Sequence, residues 1–202
     1  MQIMYGGYTS YFSRIAIDSL HKALSTKKQI DALRDSEPPK YRKLSDLHYN
    51  WLSSFLSCIV FTAFTLESYI NGYGVRRLTE SYFRDYLDKL SLEGKWTVIL
   101  KLVTGQSITG TKGHQLLKKV IKARNLLAHD RPKHKKLVGK EDVETVVRYY
   151  DGGKDLSKEV DPWEAVKTIV LLDQRLKDID DEASIFPLVD TYFESRWKEL
   201  SE

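Results

Sequence analysis

One cysteine among 202 residues rules out an internal disulfide, and with it the cross-linked scaffolds of small secreted domains. Cys58 lies inside an apolar run, which reads as core packing in a reducing compartment, so the cytoplasm is the expected location. The opening stretch MQIMYGGYTSYFSRIAID has no basic start, apolar segment or small-residue cleavage site, and no export signal is expected. Uncharged runs are scarce too. The longest, Tyr49 to Leu66, is interrupted by Asn50, Ser53, Ser54, Ser57, Thr62 and Thr65 and closed by Glu67, so it reads as a buried central helix and no membrane partner is expected. Period-two alternation is rare, and internal repeats and low-complexity segments are missing, which argues against sheet, solenoid and linker architectures.

What is present suits one core. A chain of this length with 42% hydrophobic residues can bury a single substantial core without needing a second, and residues 1–202 are read as one domain. The net charge of +4 permits an anionic partner without requiring one.

Apolar spacings of three and four predict an all-α fold. A first helix is expected from Ser10 to about Leu33, turning Phe12, Ile15, Leu20 and Leu24 inward and stopping before Glu37, Pro38 and Pro39. A second, apolar on most sides, is expected over Ser45 to Ile70 with Gly72 and Gly74 ending it. Thr79 to Leu90 and Leu92 to Val103 predict two shorter helices, and Thr104 to Gly113 a flexible loop. His114 to His129 predicts the next helix, closed by Asp130, Arg131 and Pro132. Glu141 to Tyr150 fits a short helix or strand. Asp161, Pro162 and Glu164 supply an N-cap, a first-turn proline and a capping-box acid for a helix that buries Trp163, Val166, Ile169, Val170, Leu172 and Leu176. A last helix is expected around Pro187 to Leu200.

Residues 116 to 129 separate into two faces at about 100° per residue. Lys118, Lys122, Asn125 and His129 form a polar stripe, and Leu116, Val120, Ala123 and Leu127 an opposite, core-facing one. Arg124 breaks the pattern, because its neighbours on the wheel are Val120, Leu117, Ala128 and Ile121. A guanidinium on such an apolar arc calls for a carboxylate, and Glu67, the only charged side chain between His48 and Arg76, is the expected partner. His129 falls in the last turn, where the helix dipole supports a cation, and its ordinary pKa of about 6.5 suits proton transfer. Asn125 can hydrogen-bond the ring or a phosphate.

The run Arg124-Asn125-Leu126-Leu127-Ala128-His129 is similar to the R-x4-6-H signature of the HEPN superfamily, in the R-N-x-x-x-H form of its ribonuclease members. Phe61 to Asn71 and Leu90 to Gly105 resemble the flanking helices of bacterial HEPN proteins, and the likeness covers about residues 45 to 135. The resemblance implies a HEPN-like antiparallel helical bundle, here with additional N- and C-terminal helices. It also implies a homodimer in which two Arg/His motifs face one another, and metal-independent cleavage of single-stranded RNA. Such nucleases often act as toxins or antiviral defence effectors, which implies an antitoxin or other protein partner. No cofactor or metal is expected.

The chemistry fits those residue types. Attack by a ribose 2′-hydroxyl needs a proton acceptor, a proton donor and positive charge on the phosphorane oxygens. His129 and its symmetry mate would share proton transfer, a contribution of about 10²- to 10⁴-fold, while Arg124 would stabilise the phosphorane. From Lys118 to Lys136 the chain also carries Lys118, Lys119, Lys122, Arg124, Arg131, Lys133, Lys135 and Lys136 against Asp130 alone, a net +7 suited to backbone phosphates. Of these, Lys118, Lys122, Arg131, Lys133, Lys135 and Lys136 are the expected RNA-binding set.

Other motifs fall short. Gly105 to Lys112 mimics a P-loop, but its lysine does not directly follow the second glycine. His129, Asp130 and His134 lack the further ligands a metal needs. His21, His48 and His114 read as surface or structural histidines, and Cys58 lacks a base. A structural account of the motif also stands, with Arg124–Glu67 as a buried pair and His129 as a helix cap. Three functional classes follow: a dimeric endoribonuclease, a non-catalytic module binding nucleotide, RNA or protein, and a structural or assembly protein.

Overall fold

The computed structural model describes residues 8–34, 41–128, 159–183 and 191–201. Seven α-helices and one π-helical turn account for nearly all of them, with no strand among the described residues: α1 (Thr9–Arg34), α2 (Tyr41–Leu78), α3 (Glu80–Tyr82), α4 (Leu92–Thr104), α5 (Lys112–Ala128), α6 (Pro162–Ile179) and α7 (Thr191–Ser201). The fold is all-α, as the apolar spacing predicts. The expected segment 141–150 and the start of the last expected helix lie outside the described residues.

α1 and α2 pair antiparallel, since Thr9 at the start of α1 bonds Ser68 late in α2 at 2.9 Å. Along α1, Ala16, Ile17, Leu20, Ala23 and Ile30 are buried. Phe12 and Ile15 differ from expectation. Ile15 is 39% exposed, and Phe12 sits at the edge of the pair, where its ring meets Phe61 and Phe64 at 5.8 and 5.5 Å.

At 38 residues α2 is about 57 Å long and touches α1, α4, α5 and α6. By length and apolar character alone it could cross a membrane; half of its most apolar window is buried inside the molecule. Phe55, Cys58, Ile59, Ala63, Leu66 and Ile70 are fully enclosed there. The glycines expected to end α2 lie inside it. A Cβ on Gly74 would stand 2.9 Å from the Phe83 ring and 3.1 Å from Ile99, so glycine here admits close packing rather than a turn. The stop falls at Thr79, whose φ of 96° leaves the helical region. Thr79 then caps α3 by accepting a hydrogen bond from the Tyr82 N–H at 3.4 Å.

The expected helix over Thr79 to Leu90 is broken. After α3 the chain widens into a π turn, Phe83–Leu87, closed by Asp88 N–H donating to the Phe83 carbonyl at 2.9 Å. This turns Phe83 and Leu87 inward and leaves Tyr82 and Tyr86 at the surface. α4 follows with both ends sealed. Ser91 accepts from the Gly94 N–H at 3.1 Å, and Gly105 takes the left-handed conformation and donates to the Lys101 carbonyl. The expected flexible loop before α5 is a compact turn plugged by fully buried Ile108, with Ser107 and Thr109 bonded to each other.

α6 begins as its sequence predicts, Asp161 accepting from the Glu164 N–H at 2.7 Å with Pro162 in the first turn. α7 docks through Phe193 and through Trp197, which stacks on Trp163 of α6 at 4.3 Å. One core, running from Ala16 to Phe193, draws on every helix but α3 and on the π turn.

Candidate functional site

α5 presents the two faces its wheel predicts. Leu116, Leu117, Val120 and Ala123 are buried, while Lys118, Lys122 and Asn125 are exposed. Arg124 lies between them, half-buried as its apolar neighbours require. Its Nε is enclosed without a hydrogen-bond partner among the described residues. His129, Arg131, Lys133, Lys135 and Lys136 lie outside the described residues; α5 is described to Ala128, one residue before the histidine.

The expected Arg124–Glu67 pair is not formed. The helices carrying the two residues pack together, yet no ion pair or hydrogen bond joins them, and Glu67 has no such partner among the described residues. The spacing along α2 accounts for this. Leu66 and Ile70 point into the core, whereas Glu67 shares the partly exposed stripe of Val60, Phe64 and Asn71.

A shallow groove of about 640 Å³ follows the polar stripe, lined by Glu93, Lys118, Lys119, Ile121, Lys122, Asn125, Leu126 and Glu159. Its acidic members were not anticipated. Lys118 stands 3.9 Å from Glu93, Lys119 donates to Glu164 at 2.9 Å, and Lys122 pairs with Glu159 at 2.7 Å. Three of the strip's cations are thus matched by carboxylates from α4 and from the chain at the start of α6. A lysine-rich helix face needs counter-ions somewhere, but no local spacing on α5 names Glu93, Glu159 or Glu164 as their source.

Behind the groove, His114 is 7% exposed and its Nε2 lies 3.2 Å from Glu93 Oε1. Because an ionised carboxylate only accepts, Nε2 carries the proton of this bond. His21 likewise reaches the Arg196 carbonyl at 3.3 Å. Both are the satisfied structural histidines expected. Cys58 is fully buried beside the Pro162 carbonyl, 3.5 Å away; burial, with the Asp161 charge adding to it, pushes its thiol far up and keeps it from acting as a nucleophile. Among the described residues no three His, Cys, Asp or Glu side chains gather as a metal site would require.

Chemically, the described part of the site offers a half-buried guanidinium, an exposed amide one residue on, and a groove that mixes cations, carboxylates and apolar surface. Compared with known protein families, curated proteins and solved structures, the chain matches none.

Proposed function

We propose that the chain is a metal-independent endoribonuclease that cleaves single-stranded RNA at a homodimer interface, with Arg124, Asn125 and His129 as its working residues. The observation that carries the proposal is the state of Arg124. A half-buried guanidinium with an unpartnered Nε sits beside an exposed asparagine at the end of an otherwise core-packed helix, next to a groove. Such a cation is costly unless something pairs with it, and a phosphate is a suitable partner. In this reading Arg124 stabilises the phosphorane, Asn125 orients the phosphate or the imidazole, and the two copies of His129 exchange protons with the 2′-hydroxyl and the leaving oxygen. Lys118, Lys122, Arg131, Lys133, Lys135 and Lys136 hold the strand. The toxin or defence role, with a neutralising partner protein, belongs to the same proposal.

Cleavage of a mixed single-stranded RNA panel in EDTA tests it. Wild-type protein cuts, and Arg124→Ala and His129→Ala each lower the rate by about 10²-fold or more while the helical circular dichroism persists. Intact RNA after prolonged incubation with folded wild-type protein refutes the nuclease.

A second reading, a non-catalytic binding module, is favoured by the pairing of Lys118, Lys119 and Lys122 with carboxylates, which lowers the charge a polyanion meets. Saturable RNA binding without products, unchanged in His129→Ala, selects it.

A further inference from the structure

We propose that the groove along α5 contains a nucleobase subsite for guanine, with Glu93 as its specificity-determining residue; this deepens, and rests on, the single-stranded RNA reading above. A groove that only tracked phosphates would gain nothing from carboxylates, which repel them. Glu93 and Glu159 both line this one; Glu159 serves as counter-ion to Lys122, while Glu93 keeps one oxygen open to a ligand N–H donor.

The two acids are held differently. Glu159 is matched to Lys122 at 2.7 Å. Glu93 is backed instead by His114, which donates to Oε1 and is itself 7% exposed, with Lys118 in a longer ion pair at 3.9 Å. The bond from His114 takes Oε1 and leaves Oε2 without a hydrogen-bond partner among the described residues. Glu93 also belongs to the first turn of α4, whose start is locked by the Ser91 cap. It is therefore a positioned carboxylate with spare acceptor capacity on the wall of a groove.

Such a group reads one base. Guanine alone presents two adjacent N–H donors, N1–H and the 2-amino group, on its pairing edge. Adenine and cytosine place a donor beside an acceptor, and uracil flanks its one N–H with carbonyls. Ile121 and Leu126 supply apolar surface for the ring face. The rise from Lys118 to Asn125 is about 10 Å, which sets a base at Glu93 apart from a phosphate at the Arg124–Asn125 end.

The test uses short 2′-fluoro oligouridines, which lack the nucleophilic hydroxyl, carrying one central U, A, C, G or inosine. Binding is followed by fluorescence anisotropy in EDTA. Wild-type protein binds the guanine strand about tenfold more tightly than the uridine, adenine or cytosine strands, and inosine, which lacks the 2-amino group, falls between. Glu93→Gln, which offers one acceptor and one donor, brings guanine to within about twofold of uridine. The inosine comparison needs no variant, and thermal melting confirms that the glutamine protein is folded. Equal wild-type affinity for all five strands overturns the guanine subsite and leaves the RNA reading intact. A guanine preference that persists in Glu93→Gln overturns the assignment to Glu93. Absence of binding to every strand overturns both.

Discussion

At the scale of single residues, Arg124 separates structural from functional roles. An enclosed donor without a partner costs about 1–3 kcal/mol, so removing it should relieve the fold even as it disables the site. Arg124→Met keeps most of the apolar stem. Urea denaturation is expected to show stability unchanged or raised by about 1 kcal/mol, with RNA cleavage lost. A loss of stability greater than about 1.5 kcal/mol would instead mark the arginine as a structural element. Glu67→Gln in the same assay is expected to stay within about 0.5 kcal/mol of wild type, because its carboxylate has no ion-pair partner among the described residues. The half-burial of Arg124 was legible from its helical wheel. Its partner was not, because a wheel gives the faces of one helix and not the rotation of the next.

At the scale of elements, the α2–α3 junction carries visible strain. Thr79 has φ 96° and ψ 150°, a region that β-branched residues avoid at a cost of about 1–3 kcal/mol. Glycine takes this conformation freely and loses only a few tenths as an N-cap. Thr79→Gly is expected to raise the melting temperature, by the equivalent of about 1 kcal/mol, in a calorimetric comparison with wild type. Thr79→Val, which keeps the strain and loses the cap, is expected to lower it. The caps at Asp161 and the proline after it were readable because capping acts within four residues. The passage of α2 through Gly72 and Gly74 was not, because the Gly74 contacts come from Phe83 and Ile99, nine and twenty-five residues away.

At the scale of the whole molecule, one polar link ties the far end of α2 to the end of α6. Arg77 donates to both Asp180 oxygens at 2.5 and 2.6 Å and to Glu182 at 3.0 Å, and the Tyr73 hydroxyl donates to Asp180 at 2.7 Å. Burial works to raise the Asp180 carboxyl, but the hydrogen bonds from Tyr73 and Arg77 and the Arg77 charge outweigh it and hold the group below its usual range. A carboxyl depressed in the folded state contributes stability above its unfolded pKa of about 3.9 and loses that contribution as pH falls through its native value. Thermal melts from pH 6 to pH 2 are therefore expected to show wild type more stable than Asp180→Asn near neutrality, with the gap closing below about pH 4. A constant gap across that range would remove the link from the stability of the fold.

The sequence by itself determined the helical class, the bounds of α1 and α4 to within a residue, the start of α6, and the two-faced character of α5. These depend on periodicity and on caps, which are local interactions between residues a turn apart. Tertiary structure alone decided which carboxylates meet the lysines of α5, where α2 ends, and that Glu67 and Arg124 form no pair. Those outcomes depend on the rotation and approach of helices distant in sequence, which close packing in the core sets and local spacing does not encode.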